Sequence, residues 1–336
     1  VDAALPFLVF FVSAAVVVAG GIQIARTGDR IAGQTGIGGL WIGAVLVAAA
    51  TSLPEIVVGV SAAAIEEPDL TAGDLFGSSM ANMVILAILD LLYRQRRVWL
   101  SVSLDHALVA ALAIALTSLA AAFIAADVDV AAGHVGGSTL VLAAAYLLGA
   151  RVVLRQQYLS ARRGADVTPS KPAPARWRGA SGKTVAGFAF GAVLVLAAGP
   201  LLATSAADVA DEAGLTKSFV GVALLAVTTS LPELATGVAA VRIKAYDLAV
   251  GNLFGSNAFN MSVFLFVDIA YTPGPVFSSL SETQVLAAAF AILLTTLAMM
   301  GIIHRAERRF LLIEPDAGLV ILAYIAGMWL LFQSGS

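Results

Sequence analysis

The chain has 336 residues, of which 60% are hydrophobic and only 12% charged, and its mean hydropathy is +0.93. A soluble domain carries roughly 25% charged residues, so the composition excludes an ordinary water-soluble enzyme and points to lipid as the solvent. A net charge of -3 gives no basic surface for nucleic acid, and the absence of cysteine removes disulfides and thiolate metal sites.

Runs of about 20 apolar residues, the length that crosses roughly 30 Å of hydrocarbon, predict an all-α polytopic membrane protein with ten spans. The first, 4–25, contains the run Pro6 to Ala25, which is a spanning length rather than the short core of a cleavable signal. The second, 37–64, carries Thr51-Ser52-Leu53-Pro54-Glu55 in an otherwise apolar stretch. The third, 73–93, carries Gly73-Asp74-Leu75-Phe76-Gly77-Ser78-Ser79-Met80-Ala81-Asn82. The fourth and fifth, 103–126 and 135–154, complete a first unit of residues 1–154.

Residues 155–183, rich in Arg, Pro and Ser, form a basic tether suited to anionic lipid heads and too short for a folded regulatory domain. The second unit, 184–336, holds spans 184–205, 215–242, 248–270, 281–303 and 315–333. Basic residues choose the orientation: eighteen of the nineteen Lys and Arg fall in loops after odd-numbered spans, and only Lys217 lies opposite. These loops, the tether among them, are expected in the cytoplasm of a plasma-membrane protein, with both termini outside.

The halves are copies. Thr51 to Leu86 aligns without a gap on Thr229 to Phe264 at an offset of 178, with 18 of 36 positions identical. Five spans per copy reverse the polarity of the second, giving two inverted five-helix repeats, an architecture of secondary transporters whose site lies near the midplane between halves.

The repeated strings carry the chemistry. Glu55 and its copy Glu233 lie deep in apolar spans, where an ionisable group costs at least about 2.5–3.5 kcal/mol. No basic residue of the spans is available as a partner, which leaves protons or cations. Thr51 and Ser52 share a helix face with Glu55, as Thr229 and Ser230 do with Glu233. Pro54 and Pro232 remove amide donors and so free carbonyl oxygens. Asp74, Ser78 and Asn82 recur every four residues, as do Asn252, Ser256 and Asn260, and Gly77 and Gly255 permit close helix approach beside those stripes. A site of carboxylates, hydroxyls, amides and carbonyls, without imidazole or thiolate, suits calcium or sodium rather than zinc or copper.

These doubled strings resemble the alpha-repeats of the calcium/cation antiporter superfamily, and most closely its prokaryotic sodium/calcium exchanger branch. The resemblance implies that Glu55 and Glu233 are ligands shared by calcium and sodium, with the backbone carbonyls of Thr51 and Thr229 completing the calcium site. It assigns the carbonyls of Ala48 and Ala226 and the side chains of Ser52, Ser78, Ser230 and Ser256 to sodium positions, and places Asn82 and Asn260 along the central site. It also implies that spans 1 and 6 slide against the remainder. Three positions depart from the family. Asn260 stands where some members have aspartate, and Asp74 and Ser79 replace asparagines. Asp74 is open to three roles: tuning ion affinity, accepting a proton, or capping a helix N-terminus.

The expected activity is exchange of Ca2+ for Na+ by alternating access, with exchange of Ca2+ for H+ through the same carboxylates as the alternative. No enzymatic activity, resident cofactor or obligatory protein partner is expected, only lipid and small cations. An intramembrane aspartyl protease would need a second mid-span aspartate facing Asp74, and Asp90 and Asp268 fall near span ends. A channel would use the same oxygens without coupling. His106, His134 and His304 read as solvated span-end residues, Trp41, Trp99, Trp177 and Trp329 as interfacial anchors, and Phe76 and Phe254 as packing residues.

Overall fold

The computed structural model describes residues 4–35, 51–92, 102–127, 130–165, 181–304 and 315–334. Among them are nine helices long and apolar enough to cross a membrane and one shorter apolar helix. In chain order the first half comprises α1 (Ala4–Thr35), α2 (Leu53–Ala64), α3 (Pro68–Leu92), α4 (Asp105–Ala126) and α5 (Gly137–Ala165). The second comprises α6 (Gly182–Ala213), a broken α7 over Lys217–Arg242, α8 (Tyr246–Ala270), α9 (Thr283–His304) and α10 (Pro315–Ser334). A two-residue antiparallel pair, β1 (Ala131–Ala132) with β2 (Val135–Gly136), leads into α5. The first part of the expected second span and most of the tether lie outside the described residues, as do Trp41, Trp99 and Trp177.

The offset of 178 extends well beyond the aligned strings. Helices α1 and α6 have 32 residues each, α3 and α8 have 25, and α4 and α9 have 22, all starting in register. Helix α2 matches Leu231–Arg242, the second part of α7. Even the turns agree: Glu66 and its copy Lys244 both take φ of 63°, the left-handed conformation that side chains other than glycine adopt rarely. Each lets the chain reverse within a few residues before the next long helix.

Helices α3 and α8 form the centre. In their apolar windows 78% and 67% of residues are buried, against 22% for α5 and α10 at the periphery. The largest apolar cluster unites α2–α5 with α7–α10 and includes Phe76, Phe254 and Phe264, which confirms packing roles for the two motif phenylalanines. It contains no residue of α1 or α6. Those two run against each other along their length and cross where a Cβ on Gly20 would meet the Gly191 carbonyl oxygen at 2.9 Å. They reach the rest through a second cluster with Val58, Ala62, Val220 and Leu225.

Aspartates tie helix ends to loops. Asp69, in the first turn of α3, accepts from the Ser281 backbone N (3.0 Å) and Oγ (2.9 Å) and from Gln284 Nε2 (3.2 Å). Its copy Asp247 accepts from Ser103 N (2.8 Å) and lies 3.0 Å from His106 Nε2. His106 is thus buried against Asp247 rather than solvated as its span-end position suggested, because it occupies the place that Gln284 has in the other clasp. Asp268, near the end of α8, takes Gly136 N and Val276 N at 2.7 Å each, and the Thr139 hydroxyl. Replacing Asp268 by Ala would orphan two buried backbone N–H donors, while the Thr139 hydroxyl keeps the Gly136 carbonyl as acceptor; a loss of about 2 kcal/mol is expected, read as a lower thermal midpoint in detergent.

Candidate cation-binding site

The two Thr-Ser-Leu-Pro-Glu strings break their helices in the same way. Ser52 and Ser230 form the turns, and Leu53 and Leu231 start fresh helices with proline in the first turn, where its missing N–H costs nothing. Glu55 and Glu233 then fall in those first turns, where the positive end of the helix favours a carboxylate. In α7 the break is preceded by a π-helical stretch, Gly221–Leu225, and a single α-turn, Ala226–Thr229. The π-turn brings α7 onto α3: a Cβ on Gly73 would lie 3.0 Å from Gly221 Cα, and one on Gly77 2.7 Å from Val222 Cα. Both glycines of the first-half motif are thus used for backbone contact between halves.

Both glutamates are fully buried, and Glu55 lies within Coulombic reach of Glu233 and of Asp74. The prolines beside them converge under α1, since a Cβ on Gly21 would meet Pro232 Cγ at 2.3 Å and Pro54 Cγ at 3.3 Å. Glu233 receives the hydroxyl of Thr51 from the other half and that of Ser256 from its own, the latter at 3.4 Å. Glu55 has no such donors: both of its carboxylate oxygens are buried without a hydrogen-bond partner. The hydroxyl that symmetry would offer it, Thr229 Oγ1, is 2.8 Å from Asp74 Oδ1 instead and 3.2 Å from Ser78 Oγ.

Asp74 follows six residues of α3 that begin at Pro68, and it is wholly buried. It faces the site instead of capping the helix N-terminus, which removes one of its three expected roles. The hydroxyls of Ser52 and Ser230 and both polar atoms of Asn260 are buried and unpartnered. Asn82 does not stand beside Asn260 as a free liner. Its amide donates to Asn257 Oδ1 (2.9 Å), and Asn257 Nδ2 donates to the Ser79 carbonyl (3.1 Å), which pins α3 to α8. Ala226 is buried at the α7 turn, whereas Ala48 lies outside the described residues. Asn257 and Thr236, which accepts from Asn252 Nδ2 at 3.3 Å, were not singled out in the sequence. The pair Ser79 and Asn257, one of four unequal positions in the ten-residue strings, was the available signal for the first; Thr236 left none.

Acceptors outnumber donors here. Glu55 Oε1 and Oε2, Asp74 Oδ2, Glu233 Oε2, Asn82 Oδ1 and Asn252 Oδ1 all lack a partner, and no basic side chain pairs with the three acids among the described residues. Among the described residues the one ion-paired lysine, Lys217, is held at the start of α7 by Asp211 (2.8 Å), Glu67 (3.5 Å) and the Ala207 carbonyl (2.8 Å). Buried oxygens in such excess demand positive charge from outside the protein. Among the described residues no group of three or more acids or histidines is arranged to hold a metal ion by itself, so any cation site here draws on hydroxyl, amide or carbonyl oxygens as well.

An all-helical membrane fold of repeated halves, with helices broken at buried hard-oxygen groups, defines a secondary transporter of cations. The chain matches the sodium/calcium exchanger protein family over residues 5–153 and 183–333, and it belongs to that family. It is 32% identical over 243 residues to the inner membrane protein YrbG of Escherichia coli (strain K12), covering 72% of each chain. It is 28% identical over 311 residues to the putative antiporter CaxA of Alkalimonas amylolytica, covering 91% of this chain and 92% of the relative. Among solved structures, the H+/Ca2+ exchanger CAX superposes with a TM-score of 0.68 at 14% identity, over 98% of this chain and 85% of the other. The sodium-calcium exchanger NCX_Mj does so with 0.60 at 19% identity, over 97% and 98%. At these identities the structural likeness bears on the fold alone.

The hydrogen-bonding contrast between two asparagines yields a prediction. Asn257→Ala leaves the Asn82 amide without its acceptor and removes the second donor from the helical Ser79 carbonyl, and should lower stability by about 1 kcal/mol. Asn260→Ala removes no hydrogen bond and should leave the thermal midpoint in detergent unchanged.

Proposed function

We propose that the protein is an antiporter that exchanges Ca2+ for Na+ by alternating access at a midplane site. The reading rests above all on two repeat-related carboxylates, Glu55 and Glu233, buried near each other beneath α1 with no basic partner among the described residues. In this reading they seat calcium together with the carbonyls of Thr51 and Thr229. Calcium takes six to eight oxygens in flexible geometry, which the bare oxygens of Glu55 and the unpartnered amide oxygens suit. Sodium takes the same carboxylates in turn, helped by Ser52, Ser78, Ser230, Ser256 and the carbonyls of Ala48 and Ala226, with Asn82 and Asn260 at the rim.

Coupling follows from charge. An empty site would carry unpaired carboxylates through a low-dielectric path, at a cost of several kcal/mol per ion, and a bound cation offsets it. The halves therefore reorient when loaded. The moving body is α1 with α6, which stand outside the main apolar cluster and touch the site region where Gly21 passes the two prolines. The basic loops are assigned to the cytoplasm and both termini to the outside of the plasma membrane. No resident cofactor, nucleic acid or obligatory protein partner is needed, only lipid and the transported cations.

A second reading, exchange of Ca2+ for H+, draws on the same unpaired carboxylates and on the likeness in fold to CAX. Calcium uptake into vesicles holding the purified protein should require an opposing sodium gradient, and should fall about a hundredfold or more in Glu55→Gln and in Glu233→Gln as a ligand charge is lost. Uptake driven by a pH gradient in sodium-free buffer would select the second reading, and unaffected uptake in either variant would defeat the site.

A further inference from the structure

Of the Lys and Arg residues, Lys217 alone lies away from the loops assigned to the cytoplasm, and it has no part in the cation site. It opens α7, and only residues 214–216 separate it from the end of α6 at Ala213, so any movement of α6 past α7 has to be absorbed there. From that position it reaches back over the turn to α6, where Nζ pairs with Asp211 (2.8 Å) and donates to the Ala207 carbonyl (2.8 Å). Sideways it reaches Glu67 (3.5 Å), between α2 and α3. One ammonium group thus joins the end of α6 to both repeats. Its side chain is only 19% exposed, so water screens these contacts less than those of an open surface pair.

Lys217 spans a closed seam. On its side of the molecule the space between the α1 and α6 pair and the other helices is filled by an apolar cluster that buries Phe10 of α1, Leu202 and Ala206 of α6, Val58 and Ala62 of α2, and Val220 of α7. Glu55 and Glu233 have no exposure, and a cation approaching them from this face would have to part that cluster. The opposite face has no equivalent clamp. At the offset of 178, Lys217 and Asp211 correspond to Gly39 and Gly33, and Glu67 corresponds to Ala245, none of which carries a charged side chain. Inverted repeats produce the two access states by moving one body against the other around a fixed site, so a contact made by both halves would stabilise both states alike. A contact made at one face alone favours one of them.

We propose that Lys217 is the positioning residue that sets the sidedness of transport: with Asp211 and Glu67 it clamps the end of α6 to the core and favours the state closed at that face, assigned above to the outside. The effect on transport rests on the exchanger reading above, whereas the effect on closure rests on geometry alone. A shift of a few fold is enough to matter, because the apparent affinity at each face scales with the fraction of molecules open to it.

The chain has no cysteine, so a single introduced one can report closure. The intact protein carrying Ala62→Cys is placed in vesicles and labelled by a membrane-impermeant maleimide at the face where α6 ends. Adding Lys217→Met, which keeps an apolar stem and removes the charge, should raise the labelling rate about threefold, and Lys217→Arg should leave it as it was. Calcium exchange by the same Lys217 variants is then measured from each face in turn. With Met, half-maximal exchange should need about threefold less calcium at the face where α6 ends and more at the other, whereas a structural defect would lower the rate without opposite shifts. If Lys217→Met does not fold, Glu67→Gln, which removes the partner in the other half, should move both readouts in the same directions. Labelling that Met leaves unmoved, or calcium shifts of the same sign at both faces, overturns the clamp. Raised labelling in a protein that shows no sodium-driven calcium exchange upholds the clamp and defeats the exchanger reading instead.

Discussion

Carboxylates placed in lipid without a basic partner govern this molecule. Burying one ionised acid is costly, and here Glu55, Glu233 and Asp74 are all fully enclosed. Most of the unusual backbone surrounds them: the helix breaks at Ser52 and Ser230, the π-turn over Gly221–Leu225, and the glycine contacts of α3 with α7. Each device exposes oxygen or lets helices approach within backbone distance. The surrounding apolar helices supply the low dielectric that makes the charge need a passenger.

The division of labour between helices follows from the same constraint. In the proposed exchange cycle the moving body is expected to share less core with the rest than the rest shares within itself, because close-packed interiors resist shear, and α1 and α6 pack on the other helices through two smaller clusters. The main cluster, spanning α2–α5 and α7–α10, excludes α1 and α6, and those two meet through glycines at Gly20 and Gly191. Small residues at that crossing permit close contact with little side-chain interlocking.

Much of this was legible in the sequence because lipid is a strict solvent. It forbids irregular backbone and unpaired charge, so apolar runs marked the helices, and the doubled Pro-Glu strings marked the acids and the freed carbonyls, though not the breaks at Ser52 and Ser230. What was hidden were the pairings. Symmetry suggested that Asn82 and Asn260 serve alike, but the Asn82 amide nitrogen donates to Asn257 and only its oxygen is left open, while both polar atoms of Asn260 lack a partner. The place of Asp74 depended on where α3 begins, and that start, at Pro68, came earlier than hydropathy indicated, since Glu66, Glu67 and Asp69 dilute the apolar signal. His106 was misplaced for the complementary reason: a span-end position says nothing of the neighbouring helix end, here the first turns of α8 with Asp247 and Gly251, that packs against it.

The constant register between the halves carries one more consequence. From Ala4 to the start of α5, and from Gly182 to the start of α10, corresponding helices begin at a fixed distance along the chain, although side chains have changed at half of the positions in the most alike stretch. Drift by replacement has been tolerated; gain or loss of residues has not. The bilayer explains this as a ruler would. Each copy, whichever way up, must bridge the same hydrocarbon thickness, and adding one residue to a helix rotates everything after it by about 100° while lengthening it by only 1.5 Å. In an inverted pair such a slip would turn the polar stripe of one copy away from that of the other. Thickness and facing together hold the two lineages in step, where ancestry alone would have let them diverge in length.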